Sequence, residues 1–105
     1  VNKMTHAEAV KMVHGKTGRQ SRKVGNNTYA EILPNGSVGI ILHSTYVVTI
    51  HEDNTYTLRN GGWYSPTTKD RMNKYIPGYV RQTKGEWSVH TNGRVYPYIE
   101  GMTIQ

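Results

Sequence analysis

The sequence predicts an α+β fold, a mainly antiparallel twisted sheet of about eight short strands with two short helices. Three observations support this. Turn signals recur at short intervals from residue 28 onward, the runs between them are rich in β-branched and tyrosine residues, and two segments carry helix-start chemistry. A small β-barrel is the alternative architecture.

Thr5-His6-Ala7-Glu8 has the spacing of a capping box, with Met4 placed to staple onto Ala9, so a helix should start at His6. Ala7, Val10 and Val13 share a face, and Gly15 supplies a left-handed stop. Residues 16–23, KTGRQSRK, read as a polar loop carrying Lys16, Arg19, Arg22 and Lys23. Strands are expected at 28–33 and 38–42, joined by Pro34-Asn35-Gly36-Ser37, where Asn-Gly favours the positive φ angles of a tight hairpin. A second hairpin is expected from 46–51 and 55–58 around Glu52-Asp53-Asn54, with Tyr56 and Leu58 on one face and Thr55 and Thr57 on a wet one. Ser65-Pro66 pairs an N-cap residue with a proline suited to the first helical position. The helix it opens should run to about Tyr75, burying Thr68, Met72, Tyr75 and Ile76, before Pro77-Gly78 stops it. Strands at 79–84, 86–90, 94–98 and 102–104 complete the chain, with turns at Lys84-Gly85, Thr91-Asn92-Gly93 and Glu100-Gly101. Trp87 and Val89 should face the core, and Pro97 should sit on an edge or at a strand end.

With 105 residues, the chain is expected to form a single domain over 1–105, an N-terminal helix and basic arm (1–24) leading into the sheet and central helix (25–105). It has 13 Lys and Arg against 7 Asp and Glu, a formal charge of +6 that favours anionic partners. The absence of cysteine excludes a disulfide framework and a thiol nucleophile. No apolar run approaches the ~20 residues of a membrane helix, and the start lacks a signal-peptide core, so the expectation is a cytoplasmic protein without a membrane partner. Phe is absent while Tyr numbers 8 and Trp 2, so the core must use rings with a polar end, which also suit binding surfaces.

The densest candidate site is the segment from Arg59 to Arg71. A strand end, the Gly61-Gly62 pair and a capped helix start follow one another, and free N–H groups with the helix dipole favour an anion there. Arg59, Lys69 and Arg71 can add charge, Thr67 and Thr68 can donate hydroxyls, and Trp63 or Tyr64 can stack a base. Neither the Walker spacing nor the dinucleotide fingerprint is present. The same residues also describe an ordinary glycine turn before a Ser-Pro helix, with Trp63 plugging the core. In the basic arm, Arg19 and Arg22 are candidates to clamp a phosphate with their planar forks, and a merely solvated loop is the plainer reading. The five histidines (His6, His14, His43, His51 and His90) lack metal-ligand spacing, and no pair of acids has the spacing of a nuclease metal site. The expectation is therefore a protein that is not an enzyme and holds no metal or cofactor.

Gly61-Gly62-Trp63, followed by Thr67-Thr68-Lys69-Asp70-Arg71 and Asn73, resembles a pattern of small phage-encoded proteins, and the likeness runs from Arg22-Lys23-Val24 through Asn26-Asn27-Thr28-Tyr29 to Glu100-Gly101-Met102. The chain is also similar to the anti-Thoeris sponge proteins of phages, which bind a cyclic ADP-ribose signal made by a bacterial TIR-domain defence protein. That resemblance implies sequestration of a nucleotide immune signal, of cyclic ADP-ribose or cyclic oligonucleotide type, without turnover and in a homo-oligomer. The alternatives are a nucleic-acid-binding phage accessory protein, in which the same cations track a phosphate backbone, and an inhibitor that docks directly on a host protein.

Overall fold

The computed structural model describes residues 4–105, so residues 1–3, with which the expected 1–24 unit begins, lie outside the described residues. The elements run α1 (His6–His14), β1 (Ser21–Gly25), β2 (Thr28–Ile32), β3 (Val38–Leu42), β4 (Thr45–Ile50), β5 (Tyr56–Leu58), α2 (Pro66–Asn73), β6 (Tyr79–Thr83), β7 (Glu86–Thr91), β8 (Arg94–Pro97) and β9 (Thr103–Ile104). The α+β class holds, and no barrel closes. The strands form two antiparallel sheets rather than one, a six-stranded sheet β1-β2-β3-β4-β5-β9 and a three-stranded sheet β6-β7-β8. The split follows from the path of the chain, which leaves the first sheet after Leu58, builds α2 and β6–β8, and then returns as β9 to pair Ile104 with Tyr56.

Both helix starts form as the sequence dictates. Thr5 and Glu8 exchange hydrogen bonds in a complete capping box, and Gly15 ends α1 at φ +54. Ser65 caps α2 by accepting the Thr68 N–H at 3.2 Å, with Pro66 in the first turn. Thr68, Met72, Tyr75 and Ile76 are all buried, although the helix itself stops at Asn73 and the last two reach the core from the turn that follows.

Antiparallel register places Ala30 opposite Ile40, Ile40 opposite Val48 and Val48 opposite Leu58, all facing the core. Val38, Ile50, Tyr56 and Ile104 form the adjacent row. α1 covers this face across β1–β3 with Ala9 and Val13, and α2 covers β4 with Met72. Val80, Trp87 and Val89 bring the second sheet into the same cluster. Each fully buried aliphatic side chain stabilises by about 1.5–3 kcal/mol. On the outer face, Gly39 leaves room for the Tyr46 ring, whose Cδ1 would lie 2.6 Å from a Cβ there, and Tyr46 donates to Glu31 at 2.6 Å. Thr57, expected to be wet, is covered, bonding His51 Nε2 at 2.7 Å and Thr103 Oγ1 at 3.2 Å.

Two local readings change. Residues 16–23 are not all loop, because Ser21-Arg22-Lys23 enter β1 and pair with Glu31, Ala30 and Tyr29 of β2. An edge strand with exposed side chains needs no apolar alternation, which is why no period-2 pattern marked it. The Pro34–Ser37 connection uses positive φ only at Gly36 (φ +89), and Gly36 N–H bonds Leu33 O, so it is a turn followed by a glycine bulge rather than a two-residue Asn-Gly hairpin. Lys84-Gly85 and Asn92-Gly93, by contrast, hold both residues at positive φ, the requirement of tight two-residue hairpins. Pro97 closes the edge strand β8.

Candidate functional site

At the end of β5 the chain turns through Asn60-Gly61-Gly62-Trp63, closed by a bond from Trp63 N–H to Asn60 O at 2.9 Å. The two N–H groups of this turn that would suit an anion are already engaged. Glu100 Oε1 accepts Asn60 N–H at 2.8 Å and its Oε2 accepts Gly61 N–H at 2.9 Å. Tyr98 donates its hydroxyl to the same carboxylate at 2.6 Å. Partial desolvation alone would raise the Glu100 pKa. The Tyr98 hydroxyl, the two backbone donors and the charge of Arg59 outweigh it and hold the carboxyl below its usual range. Burial first, and then the bond to Glu100, push the Tyr98 phenol well above its ordinary value.

Beside this turn lies a cleft of about 400 Å³ between the β3–β4 turn and the start of α2. Leu42 and Val47 give it an apolar floor. Val47 is the extra residue at the bulge between Ile40 and Ile41, which is how β4 turns one more side chain inward. Ser44 and Thr45 line one wall and Ser65, Thr67 and Thr68 the other. Pro66 has no N–H and Ser65 caps that of Thr68, so the Thr67 N–H is the first-turn donor that the cap leaves over.

Three further residues complete the cleft, the first being His43 of the β3–β4 turn. Trp63 lines it while remaining 69% exposed, so it is not a core plug. Asn60 lines it at 2% exposure; its Oδ1 accepts Gly62 N–H at 2.8 Å, and its Nδ2 is buried with no hydrogen-bond partner among the described residues.

The cleft therefore gathers Trp63, Thr67 and Thr68 from the sequence-derived set, and the other candidates lie elsewhere. Gly61 stands behind its wall against Thr45, and Gly62 shapes the turn. Tyr64 turns away, packing edge-on against Trp87 at 5.0 Å and Tyr98 at 6.1 Å between ring centroids. Lys69 bonds Gln82 Oε1 at 3.2 Å and lies 5.9 Å from the centre of the Trp87 ring. Arg59 lies along Gly101. Arg71 donates from Nε to Thr28 Oγ1 at 2.8 Å and pairs with Asp70 at 2.6 Å. Arg22 donates to Met12 O at 3.0 Å, helping to close the end of α1, and Arg19 bonds Thr17 in the loop. The arm and the 59–71 segment do not converge on one pocket.

The residues that the sequence did not single out are Asn60, Glu100, Tyr98 and the turn His43-Ser44. His43 holds φ +57, uncommon for a residue with a side chain, and its N–H bonds Asn27 O at 2.9 Å. A break between two β-rich runs marked that turn, whereas nothing local marked a carboxylate meeting an amide 40 residues away.

The family model described as Kyanoviridae Gp96 protein matches residues 3–105. No curated protein and no solved structure matches the chain.

Proposed function

We propose, for a chain that belongs to the Kyanoviridae Gp96 protein family and is a phage protein, that it captures a nucleotide signal in the cleft between the β3–β4 turn and α2 and withholds it without turnover. The signal is of cyclic ADP-ribose or cyclic oligonucleotide type, and the protein acts in the host cytoplasm as a homo-oligomer. The observation that carries this reading is the exposed Trp63 indole at the rim of a cleft whose floor is apolar and whose walls carry five hydroxyl side chains with the His43 ring and the Asn60 amide. An indole face stacks a base, hydroxyls suit a ribose, and the cleft volume falls within the roughly 300–1,000 Å³ of small-molecule sites. The formal charge of +6 speeds encounter with an anionic ligand without having to line the cleft. Arg59, Lys69 and Arg71 then serve the approach of the phosphates or the shape of the site rather than the floor.

Native mass spectrometry of the purified chain tests this, before and after incubation with cyclic ADP-ribose, a cyclic dinucleotide and a short single-stranded oligonucleotide. Capture predicts uptake of one intact nucleotide at a fixed ratio to the oligomer, released with unchanged mass on denaturation. Uptake of the oligonucleotide alone, weakening steeply with salt, would favour the nucleic-acid reading. Uptake of none would turn the search to a host protein.

A further inference from the structure

We infer that the cleft recognises an uncharged hydrogen-bond acceptor on a flat heterocycle, a ring carbonyl or ring nitrogen, through Asn60 Nδ2, and that it does not bind a phosphate at that point. The inference rests on the capture reading above and names the part of the ligand that enters.

The orientation of the Asn60 amide is fixed by chemistry, because Gly62 N–H can only be accepted by Oδ1, which leaves Nδ2 as the unengaged donor. That donor belongs to a side chain 2% exposed that lines the cleft, and it has no partner among the described residues. A buried amide N–H without an acceptor is costly, and buried polar groups are ordinarily paired, so an exception in a cleft lining points to a ligand. It also stands beside the start of α2, where the Thr67 N–H offers a second donor.

The charge environment selects the kind of acceptor. Among the described residues neither lysine nor arginine lines the cleft. The Asn60 and Gly61 backbone N–H groups, which would cradle an oxoanion, already hold the Glu100 carboxylate at 2.8 and 2.9 Å. A second anion against Asn60 would meet the Glu100 charge, to which the nearby Arg59 is already committed, whereas a neutral carbonyl or ring nitrogen meets only the amide dipole. Leu42 and Val47 offer the flat apolar floor on which such a ring rests. Trp63, exposed and lining the same cleft as Asn60, offers an indole face against which such a ring can stack.

Isothermal titration calorimetry on the full chain tests this with adenosine, cyclic ADP-ribose, a cyclic dinucleotide and inorganic pyrophosphate as probes. Cyclic ADP-ribose and adenosine should both bind, and excess pyrophosphate should not displace adenosine from the wild-type protein. Asn60→Asp keeps the acceptor for Gly62 and replaces the donor by an oxygen, so it should weaken adenosine at least tenfold while circular dichroism confirms the fold. Displacement of adenosine by pyrophosphate, or undiminished adenosine binding by folded N60D, would overturn the inference and leave nucleotide capture standing. Failure of cyclic ADP-ribose, adenosine and a cyclic dinucleotide all to bind would overturn both.

Discussion

The Glu100 carboxylate accepts the backbone N–H of Asn60 at 2.8 Å across 40 residues of sequence, and this contact fixes one corner of the cleft. It is possible because β9 returns beside β5, bringing the Tyr98–Gly101 segment against the turn that leaves β5. Gly101 N–H to Leu58 O at 2.8 Å and Met102 O accepting Leu58 N–H at 2.9 Å hold the two segments in register.

Removing the charge of Glu100 should therefore loosen the turn. Glu100→Gln is expected to cost about 1–2 kcal/mol, the low end for charge-assisted bonds because the group is partly exposed. The wild-type carboxyl titrates below its ordinary 4.5, so its stabilisation is complete above that pH and is lost as pH falls through the lowered folded pKa. Urea melts at several pH values should show the gap between wild type and variant closing only on the acid side.

The glycine pair separates backbone strain from crowding. At Gly61 (φ +61) a Cβ would sit 2.8 Å from Thr45 Oγ1, whereas at Gly62 (φ +89) nothing lies within 4 Å. Gly62→Ala should cost about 1–2 kcal/mol from left-handed strain alone. Gly61→Ala should cost more and displace the cleft wall at Thr45, which thermal melts of the two variants compare directly.

Arg71 ties a cleft wall rather than lining the cleft. Its Nε bonds Thr28 Oγ1 at 2.8 Å, while His43 N–H bonds Asn27 O at 2.9 Å, so α2 and the β3–β4 turn are both moored to the β1–β2 turn. Arg71→Ala should lower stability by about 1–3 kcal/mol, since it strips a charged donor from a part-buried hydroxyl. Lys69→Ala, which removes an exposed bond to Gln82, should fall within about 0.5 kcal/mol of wild type in the same denaturant titration.

Much of the fold was legible because its signals are local. The Thr5 and Ser65 caps, the glycine-bearing turns and the Thr68-Met72-Tyr75-Ile76 stripe each declare themselves within a few residues. β1 did not, because an edge strand with exposed Arg22 and Lys23 is set by its pairing with β2 and not by hydrophobic pattern. The candidate site was legible in part. Trp63, Thr67 and Thr68 follow from a glycine turn running into a capped helix, whereas Asn60, Ser44 and Glu100 acquire their roles only through contacts between distant segments.

Gly78 lies where β6 begins against β7, and an added Cβ would collide with the His90 carbonyl oxygen, a backbone atom held in the β6–β7 ladder. Gly78→Ala should cost about 3 kcal/mol or more, because neither strand can yield without breaking pairing. Loss of the cooperative transition in thermal unfolding would report it.

The most direct test of nucleotide capture is a ¹⁵N-resolved NMR titration of the full chain with cyclic ADP-ribose. The account predicts saturable shifts confined to Ser44, Thr45, the Trp63 indole N–H, Thr67 and the Asn60 side-chain amide. Shifts centred instead on Arg19, Arg22 and Lys23, or no shifts at all, would contradict it.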